Sequence, residues 1–266
     1  MKNDSFGDRM KTNYENIPKT KLMRRNPVIL RLDGKSFHSF TRGFQCPFDN
    51  ILIESIQETA KFLCENIQNV KFSYQQSDEI SLLLTDYENI NTAAWFDYEV
   101  QKMCSIAASM ATLAFNRIFW EKVNALNNDF EVKNDFFEAY CEAIEKGAMF
   151  DARCFSIPKE EVCNAFIWRQ NDCTRNSIQM VGQANFSHKE LQNKSCDKIQ
   201  DILMLEKSIN WNDFPTVQKR GSCCTKTGIH TVVDMKTGEQ KERLVWEIDK
   251  EIPIFTQDRN YIERWI

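Results

Sequence analysis

Two acidic stretches of this 266-residue chain carry the residue types that hold divalent cations: Arg31-Leu32-Asp33-Gly34-Lys35-Ser36-Phe37-His38 and Ser77-Asp78-Glu79. An aspartate followed at once by glycine offers a carboxylate and a closely approachable backbone carbonyl, both hard oxygen donors suited to Mg2+. The amides that follow can face a triphosphate. Taken singly, an Asp-Gly pair reads as a plain turn, and adjacent acids in a hairpin read as a solvated one. Taken together, two carboxylates converging from neighbouring strands could hold two Mg2+ ions roughly 3.5–4 Å apart, as polymerases do to clamp an in-line nucleotidyl transfer. Such phosphoryl transfers need positioned metals and basic groups more than covalent help from the protein.

Basic groups for that task are concentrated in the second half: Arg153, Arg169 within Trp168-Arg169-Gln170, Arg175 within Thr174-Arg175-Asn176-Ser177, Lys198, and Lys219-Arg220-Gly221. Arginine grips phosphate bidentately, so these and Arg31 are candidate phosphate or nucleic-acid contacts. The competing reading is ion pairing with the chain's many acids. His38 could bond a phosphate or cap its own loop. The stripes Met103/Met110 and Phe115/Phe119/Trp120 read as core.

These groups need a scaffold. Pro27 to Asp33 alternates Val28, Leu30 and Leu32 with Ile29, Arg31 and Asp33, the period of a strand. Apolar residues spaced by three or four between Pro47 and Val70 predict an amphipathic helix capped by Asp49. Val70 to Tyr74 and Ile80 to Thr85 predict a hairpin around Gln75-Gln76-Ser77-Asp78-Glu79. A long helix is expected from Asn91 or Thr92 with Phe96, Val100, Met103, Ala107, Met110 and Ala114 on one stripe. A further helix from Asn134 to Lys146, stopped by Gly147, leads into a strand from Met149 to Ile157. Strand, helix, hairpin, helix, strand is the ferredoxin-like βαββαβ order, an α+β fold in which Asp33 and Asp78 sit on central neighbouring strands. The fold licenses no function by itself. Beyond it, Pro158 opens a helix to about Met180, Ser187-His188-Lys189-Glu190 is a capping box, Ser195 to Leu205 is helical, and Ile229 to Val233 with Arg243 to Ile248 form a hairpin around Lys236-Thr237-Gly238-Glu239. The expected organisation is a palm-like catalytic region over 1–157 and a helical and hairpin region over 158–266, packed together as one unit.

Composition narrows the classes. Lys and Arg number 34 against 38 Asp and Glu, a net charge of -4, so no global positive field draws a polyanion and a local basic track must do so. No run approaches the roughly 18 apolar residues of a membrane span, and the opening MKNDSFGDRM resembles neither a signal nor a transit peptide, so a cytoplasmic protein is expected. The ten cysteines include no Cys-x-x-Cys pair and have only three histidines for company, which predicts reduced thiols rather than a zinc site.

The order RLDGKSFHSFTRGF-x-x-PFD at 31–49, YxQSDE at 74–79, WRQxDCTRNSI at 168–178, DKIQDIL at 197–203 and INWNDFP at 209–215 resembles the tRNA(His) guanylyltransferase superfamily over nearly the whole chain. The resemblance implies a polymerase-like palm that adds nucleotides in the 3′–5′ direction at the 5′ end of tRNA, commonly as a homotetramer. It implies that Asp33, the Gly34 carbonyl and Asp78 hold two Mg2+ ions with Glu79 beside them, and that Asp33 to His38 (Asp33, Gly34, Lys35, Ser36, Phe37, His38), Ser77, Asp78, Asp49 and Lys198 serve ATP, GTP or another nucleoside triphosphate. Three positions depart from the pattern: Cys46 stands where the family has lysine, Gln75 replaces a common glycine, and Thr174-Arg175-Asn176-Ser177 replaces a His-x-Asn-Asn signature. The last departure points to the bacterial-type guanylyltransferase-like branch, which resembles a template-dependent repair enzyme for 5′-truncated tRNA. The alternatives are a tRNA(His)-specific guanylyltransferase, an RNA-binding module stacking bases on Phe72 and Tyr74, and a palm-type nucleotide cyclase.

Overall fold

Strict alternation in the first strand divides the molecule into two sides. In β1 (Val28–Gly34), Val28, Leu30 and Leu32 are fully buried on one face, while Ile29, Arg31 and Asp33 point to the other. The computed structural model describes residues 5–127, 135–233 and 240–266. After β1 come α1 (Asn50–Asn66), β2 (Val70–Gln76), β3 (Glu79–Leu84), α2 (Val100–Asn127), α3 (Phe137–Lys146) and β4 (Phe150–Ser156). Then follow α4 (Val162–Asn185), α5 (Cys196–Lys207), β5 (Ser222–Val233) and β6 (Gln240–Asp249).

One antiparallel sheet runs in the order β4-β1-β3-β2-β5-β6. Its first four strands have the ferredoxin-like arrangement, with the C-terminal hairpin added at the β2 edge. Helices α1 and α2 cover one face over Leu30, Leu32, Ile80 and Leu82. On the other face, α4 and the C-terminal segment cover Ile29, Leu83, Phe72 and Tyr74 but leave the outward residues of β4 exposed. Burial of this apolar area is the main stabilising term.

Local signals place several elements where expected. Asp49 accepts from the Leu52 amide at the start of α1, Ser187 forms a complete capping box, and Gly147 ends α3 with φ +68°. Other expectations need correction. The long helix starts at Val100 rather than at Asn91, because Phe96, Asp97 and Tyr98 form a left-handed run with φ between 49° and 55°. Phe72 and Tyr74 are 0% and 1% exposed, so β2 offers no surface for stacking bases. Helix α4 continues to Asn185, and β5 begins at Ser222 rather than Ile229, because Ser222, Cys223 and Cys224 pair with Gln75, Tyr74 and Ser73. The expected helix start at Asn134 and the turn at Lys236–Glu239 lie outside the described residues. No helix among the described residues is long and apolar enough to cross a membrane.

Candidate active site

Register brings the acidic stretches together at one sheet edge. Asp33 pairs with Glu79 across β1 and β3, and with Asp151 across β1 and β4. Ser77 and Asp78 form the two-residue turn of the β2–β3 hairpin, with Ser77 at φ +49°, and the Gly34 amide donates to the Asp78 carbonyl at 3.1 Å. Burial, reinforced by the charge of Asp33, raises the Asp78 carboxyl to about 6. The Asp33 side chain is about one-third exposed, with Arg31 Nη2 at 3.6 Å and Arg153 Nη2 at 3.8 Å from its Oδ2.

Glu79 faces inward. It is buried and takes a bidentate pair from Arg169, Nε to Oε1 at 2.6 Å and Nη2 to Oε2 at 2.7 Å. Arg31 Nε lies 3.3 Å from Glu79 Oε2 but out of line for a hydrogen bond. Burial pushes the Glu79 carboxyl above its ordinary range, and Arg169 opposes that shift. Arg169 also donates to Asp172 at 2.9 Å, and Asp172 in turn pairs with Arg175. Arg169 is thus a buried clamp on Glu79, correcting its expected role as a phosphate contact; an unpaired charge there would be strongly destabilising.

The loop after β1 divides into buried and exposed parts. The Lys35 amide donates to the Met149 carbonyl, Ser36 is left-handed at φ +55°, and a one-turn helix spans Phe37–Phe40. Lys35, Ser36 and His38 are exposed. Phe37, expected among the nucleotide-binding residues, instead packs its ring against Phe115 and Phe150 in the core, leaving only its backbone at the loop. A Cβ at Gly34 would run into that ring, so glycine is required there by packing. Asp49 also needs correction as a nucleotide contact: it is 5% exposed and its carboxylate accepts from the amides of Leu52 and Gln45 and from the Tyr140 hydroxyl.

Among the remaining basic residues, Arg153 is half exposed and paired with Asp151 at 2.8 Å, and Arg175 is exposed beyond Asp172. Lys219 and Arg220 immediately precede Gly221 and the Ser222–Gln75 pairing, which carries them toward the Ser77-Asp78 end of the sheet. Arg220 Nε is buried with no hydrogen-bond partner among the described residues, while Lys219 donates to the Asn212 carbonyl, its ammonium lowered by burial and by Arg220. Lys198 is exposed in the first turn of α5, which packs on α4. Two acids escaped sequence reasoning, Asp151 and Asp172. The first was legible in the alternation Asp151, Arg153, Phe155 along β4; the second needed the fold.

No group of three or more His, Cys, Asp or Glu side chains among the described residues is arranged to hold a metal. With Glu79 committed to Arg169, the donors left at the edge are the carboxylates of Asp33 and Asp78 and nearby backbone carbonyls. These are all hard oxygens, a set that fits Mg2+ completed by phosphate and water ligands.

The family model described as tRNAHis guanylyltransferase (Thg1) matches residues 7–158. An uncharacterized protein of Acanthamoeba polyphaga mimivirus is 30% identical over 247 residues, covering 86% of this chain and 80% of that protein. The tRNA(His) guanylyltransferase of Saccharomyces cerevisiae is 25% identical over 215 residues, 76% of this chain and 83% of that enzyme. A solved structure of a bacterial tRNA(His) guanylyltransferase (Thg1)-like protein in complex with ATP is 44% identical and superposes with a TM-score of 0.81, covering 98% of this chain and 99% of that one. A similar bacterial protein in complex with GTP gives 40% identity and a TM-score of 0.74 over 98% of this chain and 99% of that one.

Proposed function

The chain belongs to the tRNAHis guanylyltransferase (Thg1) family, in its bacterial Thg1-like branch, and is a nucleotidyltransferase; from that premise we propose that it repairs 5′-truncated tRNA by template-dependent 3′–5′ nucleotide addition. The observation that carries this reading is the meeting of Asp33, Gly34 and Asp78 at one sheet edge, joined by a backbone hydrogen bond. The complexes of similar proteins with ATP and with GTP support nucleoside triphosphates as substrates. Thr174 in place of a signature histidine supports repair over histidine-tRNA specificity.

In the proposed sequence, an oxygen of the tRNA 5′-monophosphate attacks the α-phosphorus of ATP and pyrophosphate leaves. The 3′-hydroxyl of an incoming nucleoside triphosphate then attacks the activated 5′-phosphorus and AMP leaves, so the lengthened tRNA ends in a triphosphate. Asp33, Asp78 and the Gly34 carbonyl would hold Mg2+, which when bound supplies charge neutralisation at the phosphates. Glu79, fixed by Arg169, holds its strand end in register beside Asp33. The exposed amide-rich turn from Lys35 to His38 binds the triphosphate, Ser77 borders it, and Arg153, Arg175, Lys219 and Arg220 bind RNA phosphates. Lys198 belongs to the helical surface along which tRNA would lie.

Base selection by pairing with the opposite strand is tested with a tRNA lacking its first 5′ nucleotide and carrying each base opposite the gap. The added nucleotide should follow the opposing base. Addition of G whatever the template would instead select the tRNA(His)-specific reading.

A further inference from the structure

We propose that Trp168 and Phe155 form a stacking site for a nucleobase at the end of the RNA substrate, on the open face of the sheet beside Asp33. The inference deepens the reading above and rests on it for the identity of the RNA. Trp168 is 55% exposed on α4, an expensive placement for the largest side chain unless something flat covers it. Two guanidinium groups lie over its ring, that of Arg169 at 4.5 Å and that of Arg31 at 5.7 Å from the centroid. Arg169 is itself pinned by Glu79 and Asp172. The buried ion pair at the catalytic edge thus sets the tryptophan ring in place, at little further entropic cost on binding.

Phe155 lies across a shallow cleft from Trp168 and is 38% exposed. It follows Asp151 and Arg153 on the face of β4 that looks toward α4, where Ala165 and Phe166 line the cleft with it. The flanks of this aromatic pair carry arginines, Arg153 on β4 and Arg175 on α4, each more than half exposed and ion-paired, with Asp151 and with Asp172. Two aromatic rings flanked by arginines suit a base carried on a phosphate backbone better than they suit an apolar protein surface. Arg31, under Trp168, stands two residues before Asp33 on the same face of β1, about 7 Å along the strand. A base stacked on Trp168 therefore lies close to the reacting phosphate.

The test reads tryptophan fluorescence of the full chain, with the Trp168 signal isolated as the difference between wild type and Trp168→Phe. The probes are ATP, GTP, a 5′-truncated tRNA, and the same tRNA made abasic over the terminal nucleotides of its acceptor end. The truncated tRNA should quench the Trp168 signal and the abasic tRNA should not. Trp168→Ala should weaken tRNA binding roughly 5- to 100-fold, with Trp168→Phe retaining most of it and Phe155→Ala losing less than Trp168→Ala. Quenching by ATP or GTP but not by tRNA, equal quenching by the intact and abasic tRNAs, or no quenching by any probe would each overturn the stacking site. A wild-type protein that shows the Trp168 quench with tRNA yet adds no nucleotide would leave the stacking site standing and remove the repair reading instead.

Discussion

The Gly34 amide donates to the carbonyl of Asp78 at 3.1 Å, so the two turns that present the acidic groups are tied to each other through their backbones. Asp33 lies on β1 and Asp78 in the β2–β3 turn, with α1 and β2 between them in the chain, yet the Asp33–Glu79 pairing of the ladder sets them side by side. Such a mount suits groups whose separation must match a pair of cations.

Asp33→Ala and Asp78→Ala should each abolish nucleotide addition to a truncated tRNA while leaving the far-ultraviolet circular dichroism unchanged. Full activity in either variant would remove that residue from the site.

The Glu79–Arg169 pair is expected to act structurally. Removing one partner leaves a buried charge, so Arg169→Ala should lower stability by about 3 kcal/mol. Replacing both, as in Glu79→Gln with Arg169→Met, should recover part of that loss. Urea denaturation of the two variants measures it, and an Arg169→Ala protein as stable as wild type would contradict the clamp.

Asp78 sets a pH dependence whose sign is opposite to that of a salt-bridged acid. Its folded-state pKa, about 6, lies above the ordinary 3.8, so the folded chain keeps a proton that the unfolded chain releases between those values. The stability tied to this group is present below about pH 4 and is lost as pH rises through 6, on the order of 3 kcal/mol. Without added metal, the melting temperature of Asp78→Asn relative to wild type should therefore rise across that interval.

Gly34→Ala should force the Phe37 ring out of its packing against Phe115 and Phe150. A loss of roughly 1–3 kcal/mol is expected from such overpacking, and a melting temperature equal to that of wild type would refute it.

Binding of tRNA should weaken steeply with salt despite the net charge of -4, because the phosphate contacts are local. Arg153→Ala and Arg175→Ala should each lower the slope of log affinity against log salt by about 1. Affinity that stays constant between low and physiological salt would contradict the basic track.

Periodicity and caps made β1, the β2–β3 hairpin and α1 legible in the sequence, because each depends on neighbours a few residues apart, and the adjacency of Asp33 to Asp78 followed from the ferredoxin-like order of those elements. What escaped depends on distant partners. Arg169 was visible as a basic residue, but its acid, Glu79, lies 90 residues earlier in the chain. The start of β5 was hidden because Cys223 and Cys224 become strand residues only by pairing with β2. The left-handed run through Phe96, Asp97 and Tyr98 breaks a helical stripe whose apolar spacing looks continuous. Phe37 sits in a motif that suggests a ligand contact, whereas its ring answers to the core.

The short pairing of Ser73, Tyr74 and Gln75 with Cys224, Cys223 and Ser222 also governs how the molecule can come apart. A fragment ending near residue 157 would bare the β2 edge, with a row of open amides and carbonyls above buried apolar side chains. Such an edge recruits further strands. The C-terminal hairpin is therefore a guard against self-association of the palm, and proteolysis within the second half should yield insoluble material rather than a smaller soluble sheet.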